Sequence, residues 1–204
     1  FAQGKGLHGR ADGGFEGGGL DWVQYSAQDY ELISDFNPRT GRLGAYMAGV
    51  NNANDHISQQ VALPSGAAAL TLDFWWSLAT AETAGAFDFM TVSLLASDGT
   101  ELATLVALDS AAPAGVWDEL AFDLTPYAGR TVIVRFEAST DANNISDFYL
   151  DDASLISCTA DPTPTLTPAA TSTATATATT NPPATATITS ERRYLPLIRG
   201  PASS

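Results

Sequence analysis

The sequence predicts an all-β domain, an antiparallel sandwich of two sheets, followed by an extended low-complexity tail. Three observations carry this reading. Ala68–Leu78 alternates strictly, with Leu70, Leu72, Phe74, Trp76 and Leu78 on one face and Thr71, Asp73, Trp75 and Ser77 on the other, the pattern of a core strand in a sheet with one buried side. About ten short segments are divided by turn signals every 8 to 15 residues. No stretch reads as an amphipathic helix, so the apolar faces must close sheet on sheet.

Residues 1–11 are a glycine-rich arm, and glycine continues through Gly17-Gly18-Gly19, interrupted by Phe15-Glu16 as one apolar and one acidic anchor. The domain runs over residues 12–158. Strands are expected at Asp21–Ser26, Tyr30–Ser34, Leu43–Val50 and Ile57–Leu63, with breaks at Asn37-Pro38, Thr40-Gly41 and Asn51-Asn52-Ala53-Asn54. Pro64-Ser65-Gly66 turns the chain into the central strand. Asp98-Gly99 marks a hairpin between Phe87–Leu95 and Glu101–Leu108. Val116–Leu124, Thr131–Ala138 and Phe148–Ser157 complete the set, and within Val132–Phe136 the alternation sets Arg135 opposite an apolar face.

Residues 159–190 are a different material, with 13 Thr, 8 Ala, 5 Pro and 2 Ser in 32 residues. So few large apolar side chains cannot offset the entropy of ordering, which makes the segment an extended stalk. Threonine with proline also points to O-glycosylation, centred on the near-alternating run that holds Thr171, Thr173, Thr175, Thr177 and Thr179. Asn144-Ile145-Ser146 fits an N-glycosylation acceptor. Residues 191–204 end the chain with a short apolar segment, Tyr194-Leu195-Pro196-Leu197-Ile198, flanked by arginines and expected to dock on something.

The net charge is −14, and residues 1–158 hold 21 acidic and 6 basic side chains, so the acidity belongs to the domain. That balance argues against nucleic acid and anionic membrane surfaces, and suits an extracellular protein or one that holds divalent cations. No apolar run is long enough to span a bilayer. The opening Phe1-Ala2-Gln3-Gly4, with neither Met nor signal peptide, is what a processed secreted protein or a trimmed chain would show. Cys158, the single cysteine, is free, joined to another chain or modified. Catalysis is not expected. His8 and His56 stand apart in glycine- and asparagine-rich loops, Gly-x-Ser-x-Gly is absent, and carboxylate pairs without a cleft carry no weight.

Gly14-Phe15-Glu16 with Asp21-Trp22, Leu72-Asp73-Phe74-Trp75-Trp76, Val116-Trp117-Asp118-Glu119-Leu120, and Val134-Arg135-Phe136 leading to Phe148-Tyr149-Leu150-Asp151-Asp152 follow one another in order. This series resembles the MAM-like jelly-roll domains and the related carbohydrate-binding jelly rolls of secreted bacterial enzymes, over roughly residues 12–158. The tail is similar to Thr/Pro linkers of secreted bacterial proteins that end in a Tyr-Leu-Pro-Leu segment. The resemblance implies a structural Ca2+ where the chain ends meet, held by Glu16 with Asp151 or Asp152, and by Asp12 as a weaker addition. The other reading of Glu16 and Asp152 is that they cap turns by accepting backbone hydrogen bonds. The cysteine pairs of MAM domains are missing.

Outward-facing Trp75 is either a platform for stacking a sugar ring or a residue covered by a loop, the arm or a neighbouring subunit; Tyr25, Tyr30 and Tyr46 are open in the same way. Two functional readings follow. The first is a non-catalytic extracellular structural subunit that polymerises with identical subunits, with Tyr194, Leu195, Leu197 and Ile198 adding to the open sheet edge of a neighbour. The alternative is a glycan-binding or adhesive module displayed on the Thr/Pro stalk.

Overall fold

The computed structural model describes residues 13–159, together with the backbone of residues 190–193. Asp12, the stalk threonines from Thr171 to Thr179, and Tyr194 to Ile198 lie outside the described residues. Eleven strands are seen among the described residues: β1 Val23–Ser26, β2 Ile33–Ser34, β3 Gly44–Ala48, β4 Asn54–Ala62, β5 Ala67–Thr80, β6 Phe89–Ala96, β7 Glu101–Asp109, β8 Asp118–Asp123, β9 Thr131–Ser139, β10 Ser146–Thr159 and β11 Ser190–Arg193. One 3-10 turn, Thr125–Tyr127, is the only helical element among the described residues.

The strands form two antiparallel sheets, a five-stranded one in the order β1-β4-β9-β6-β7 and a six-stranded one in the order β2-β3-β10-β5-β8 with β11 on β10. The chain is a β-sandwich. Leu70, Leu72, Phe74 and Leu78 are fully buried and Trp76 nearly so, against Ile57, Val61, Val92, Val134 and Phe136 of the facing sheet. Phe74 meets Phe136 edge-on at 5.0 Å between ring centroids, the arrangement that sets the positive edge of one ring against the negative face of the other. Phe15 is wholly buried and packs on Trp22, whose ring reaches Phe136. The acidic and apolar anchors of the glycine-rich stretch thus belong to the domain's wall.

Several strand limits differ from the sequence reading, each for a local reason. Tyr30–Ser34 yields only a two-residue strand, Ile33–Ser34, at the sheet edge, where the Leu32 and Ile33 amides donate to Gln24 Oε1 and Leu32 O accepts the Tyr46 amide. Val116 and Trp117 stay outside β8, since Gly115, with φ of 77°, donates its amide to Leu78 O and bends the chain before the strand begins. His56 lies in β4 and not in a loop, because the pairing of β4 with β9 starts at Asn54.

β11 was not visible in the sequence. It pairs antiparallel with Leu155–Cys158 of β10, in the same lane that β3 occupies beside Asp147–Leu150. Between the two, at the irregularity from Asp151 to Ser154, the Ala153 amide donates to Gly13 O at 2.8 Å. Only glycine fits at Gly13, where a Cβ would collide with the Ala153 carbonyl.

Candidate functional site

The alternation that buries one face of the five-stranded sheet turns a polar and aromatic set to the other. Tyr25, His56, Glu137 and Thr91 are successive cross-strand partners on β1, β4, β9 and β6. The adjoining row on the same face is Val23, Ser58, Arg135 and Ser93. Tyr25 is 51% exposed and stacks on the His56 imidazole, 4.9 Å between centroids and 21° between planes. Arg135 Nη2 lies 3.0 Å from Glu137 Oε2 and 3.1 Å from His56 Nδ1.

Guanidinium only donates, so His56 Nδ1 must accept and the ring proton sits on Nε2. Burial, and then the Arg135 charge, hold His56 below its ordinary pKa of 6.5, which keeps the imidazole neutral. The face therefore presents an aromatic ring, a carboxylate acceptor, a guanidinium and hydroxyls, all fixed on strands. Half-buried Arg135 also keeps a buried Nε without a hydrogen-bond partner. Such a surface suits a ligand that offers apolar C–H faces and many hydroxyls.

A second aromatic group covers the outside of the six-stranded sheet. Phe36, Tyr46 and Tyr149 pack in series, with centroids 4.9 Å and 5.5 Å apart, and Trp117 follows at 6.5 Å from Tyr149. Tyr46 OH donates to Asp147 Oδ1 at 2.9 Å; burial and this partner raise its pKa, and burial pushes Tyr149 up to about 12. Beside Tyr46 is a cavity of about 360 Å³ lined by Tyr30, Glu31, Leu32, Ala48, Gly49 and Val50 as well. Apart from Tyr30 and Phe36, which are over half exposed, these rings chiefly cover one another.

Trp75 faces outward as the alternation requires, but its ring carries the Arg39 guanidinium at 3.6 Å from the centroid. That face of the indole is occupied by a loop residue. Arg39 also pairs with Asp152 Oδ2 at 2.6 Å.

The carboxylates expected to hold calcium gather around the same 38–43 loop. Glu16 Oε1 accepts the amides of Arg42 and Leu43 at 2.7 and 2.9 Å, and these bonds lower its pKa. Asp151 Oδ2 accepts the amides of Arg39 and Thr40, while burial drives its pKa up to about 6 against the pull of the Thr40 and Asp152 amides. Asp152 Oδ1 accepts the Thr40 hydroxyl. These oxygens fasten the loop. Among the described residues, the one group of three acidic side chains with an oxygen from each within 4.8 Å of the others is a different one, Glu82, Asp88 and Asp141. Asn144 is exposed in a turn, and its amide reaches Glu82 Oε2 at 3.3 Å. Cys158 is free and half-buried in β10.

Neither known family descriptions nor curated proteins match the chain. Solved structures do. The module TmCBM61, solved in complex with β-1,4-galactotriose, superposes with a TM-score of 0.52 at 16% identity, over 72% of this chain and 97% of its own. The chain shares the β-sandwich fold of that module. Also similar are carbohydrate-binding modules of the β-sandwich superfamily, with a TM-score of 0.47 and 12% identity over 70% of this chain and 60% of theirs. The K3 adhesin domain of Lys-gingipain from Porphyromonas gingivalis has a TM-score of 0.49 and 18% identity, covering 69% and 94% of the two chains.

The sequence reading named Trp75 and passed over His56, Arg135 and Glu137. Arg135 and Glu137 did carry a signal, as charged residues alternating with Val134 and Phe136 in a strand of otherwise apolar character. His56 carried none once its segment was read as a loop.

Proposed function

We propose that this chain is a non-catalytic, extracellular glycan-binding module that holds a polysaccharide along the outer face of the five-stranded sheet. The observation that carries the proposal is the exposed Tyr25 ring beside the fixed group of His56, Arg135 and Glu137. A pyranose would lay its C–H face on Tyr25, while neighbouring hydroxyls donate to Glu137 and accept from His56 Nε2–H and Arg135. The fold shared with a module solved with a galactotriose supports this reading. The threonine-rich segment would display the module as a glycosylated stalk.

The test is affinity electrophoresis and a glycan array with the full chain, comparing Glu137→Gln and Arg135→Ala with Trp75→Ala and Phe36→Ala. The proposal expects retardation by at least one neutral polysaccharide, lost in the first pair and kept in the second. Retention by no glycan refutes it, and loss confined to Phe36→Ala would move the site to the other sheet.

A second reading is favoured by one observation: the lane beside Leu155–Cys158 accepts a strand, here Ser190–Arg193 of the same chain. A neighbouring subunit's tail added in that lane would link copies head to tail. Electron microscopy of the secreted material beside a version ending at Cys158 decides it, since filaments that need residues 159–204 support assembly and single particles in both refute it.

A further inference from the structure

We propose that Glu82, Asp88 and Asp141 form a Ca2+ site at the end of the sandwich where the β5–β6 and β9–β10 loops meet, separate from the glycan face and independent of that reading. Their carboxylate oxygens lie within 4.8 Å of one another. Two oxygens bound to one Ca2+ at 2.3–2.6 Å can be up to about 4.6–5.2 Å apart, so one oxygen from each of these three side chains is within reach of a single ion. Ca2+ accepts such an irregular set of oxygens more readily than Mg2+, whose strict octahedron is harder to meet from three loop carboxylates.

The second observation is the state of Asp88. It is 0% exposed, its Oδ1 accepts the Asp141 amide at 2.8 Å, and its Oδ2 is buried with no hydrogen-bond partner. Burying a carboxylate oxygen without a donor is costly, and a cation is the partner that the other two carboxylates also lack. The ion pairs among the described residues are Arg39 with Asp152 and Arg135 with Glu137, so none of the described basic side chains pairs with this group. Among the described residues the Glu82 carboxylate accepts only from the Asn144 side-chain amide, and the Asp141 carboxylate only from Asn143.

The backbone is built to hold Asp88 in place. Ser110 Oγ accepts the amides of Phe87 and Asp88, and the Ser110 amide donates to Asp88 O at 2.9 Å. A bound Ca2+ would take its remaining oxygens from water and tie together loops from both sheets.

The experiment is calorimetric titration of the chelator-treated full chain with CaCl2, with thermal unfolding read in parallel. One Ca2+ per chain is expected, with a rise in Tm. Glu82→Gln at the rim should weaken binding at least about tenfold, and Asp88→Asn should abolish it, while Asp152→Asn leaves it unchanged. Absence of saturable Ca2+ binding overturns the proposal. So does wild-type affinity in Glu82→Gln, which tests the site even if Asp88→Asn fails to fold, and so does a loss of binding confined to Asp152→Asn.

Discussion

Replacing Tyr25 with alanine tests the proposed glycan face where its magnitude can be worked out. A tyrosine can bury roughly 200 Å², and with Tyr25 51% exposed about 100 Å² remain open. A sugar ring lying on it would cover about half of that, ~50 Å², worth ~1.3 kcal/mol at 25 cal/mol per Å². Contact of the sugar's C–H bonds with the ring face is taken to add about 0.5–1.5 kcal/mol beyond the area, the range found for aromatic pairs. The expected loss is therefore ~1.8–2.8 kcal/mol, or about 20- to 100-fold in Kd. Free-state costs of association cancel between wild type and variant, so the difference is cleaner than either affinity.

The variant also loses the stack on His56, but that ring stays tied to Arg135, and the fold should hold because Tyr25 lies outside the core. The assay is titration calorimetry with the glycan found by screening, alongside thermal unfolding. A change of less than about threefold in a variant that keeps its Tm would refute the placement of the ligand on this face.

Three further outcomes are expected. Phe74→Ala empties a fully buried site between Phe136 and Phe122 and should cost about 3–5 kcal/mol, read by denaturant unfolding; a cost under about 1 kcal/mol would contradict the core described. His56 has a lowered folded pKa, so the native state binds fewer protons than the unfolded chain between that value and 6.5; stability should rise with pH through this window and fall on acidification, and His56→Gln should remove this component from unfolding curves taken from about pH 5 to pH 7.5. Ending the chain at Thr159 removes β11, so hydrogen exchange should quicken at amides of Leu155–Cys158 that point toward it while Asp147–Leu150, paired with β3, stay protected; unchanged exchange would mean the β11 pairing contributes nothing.

Period-two alternation is a local property, and the sequence by itself determined what depends on it: an all-β chain, the buried face of β5, the β6–β7 hairpin at Asp98-Gly99, and Trp75 pointing away from the core. It also showed that the acidity lies in the domain. Tertiary structure decided what depends on which strands become neighbours. Tyr25, His56 and Glu137 are far apart in sequence and share a row only because β4 lies between β1 and β9. Trp75 is capped by Arg39 because Asp152, itself in a left-handed conformation with φ of 50°, and Asp151 draw the 38–43 loop over it. Glu82, Asp88 and Asp141 meet through loop closure, which no spacing encodes. β11 was invisible for a related reason: main-chain hydrogen bonds at a sheet edge ask almost nothing of the side chains that form them.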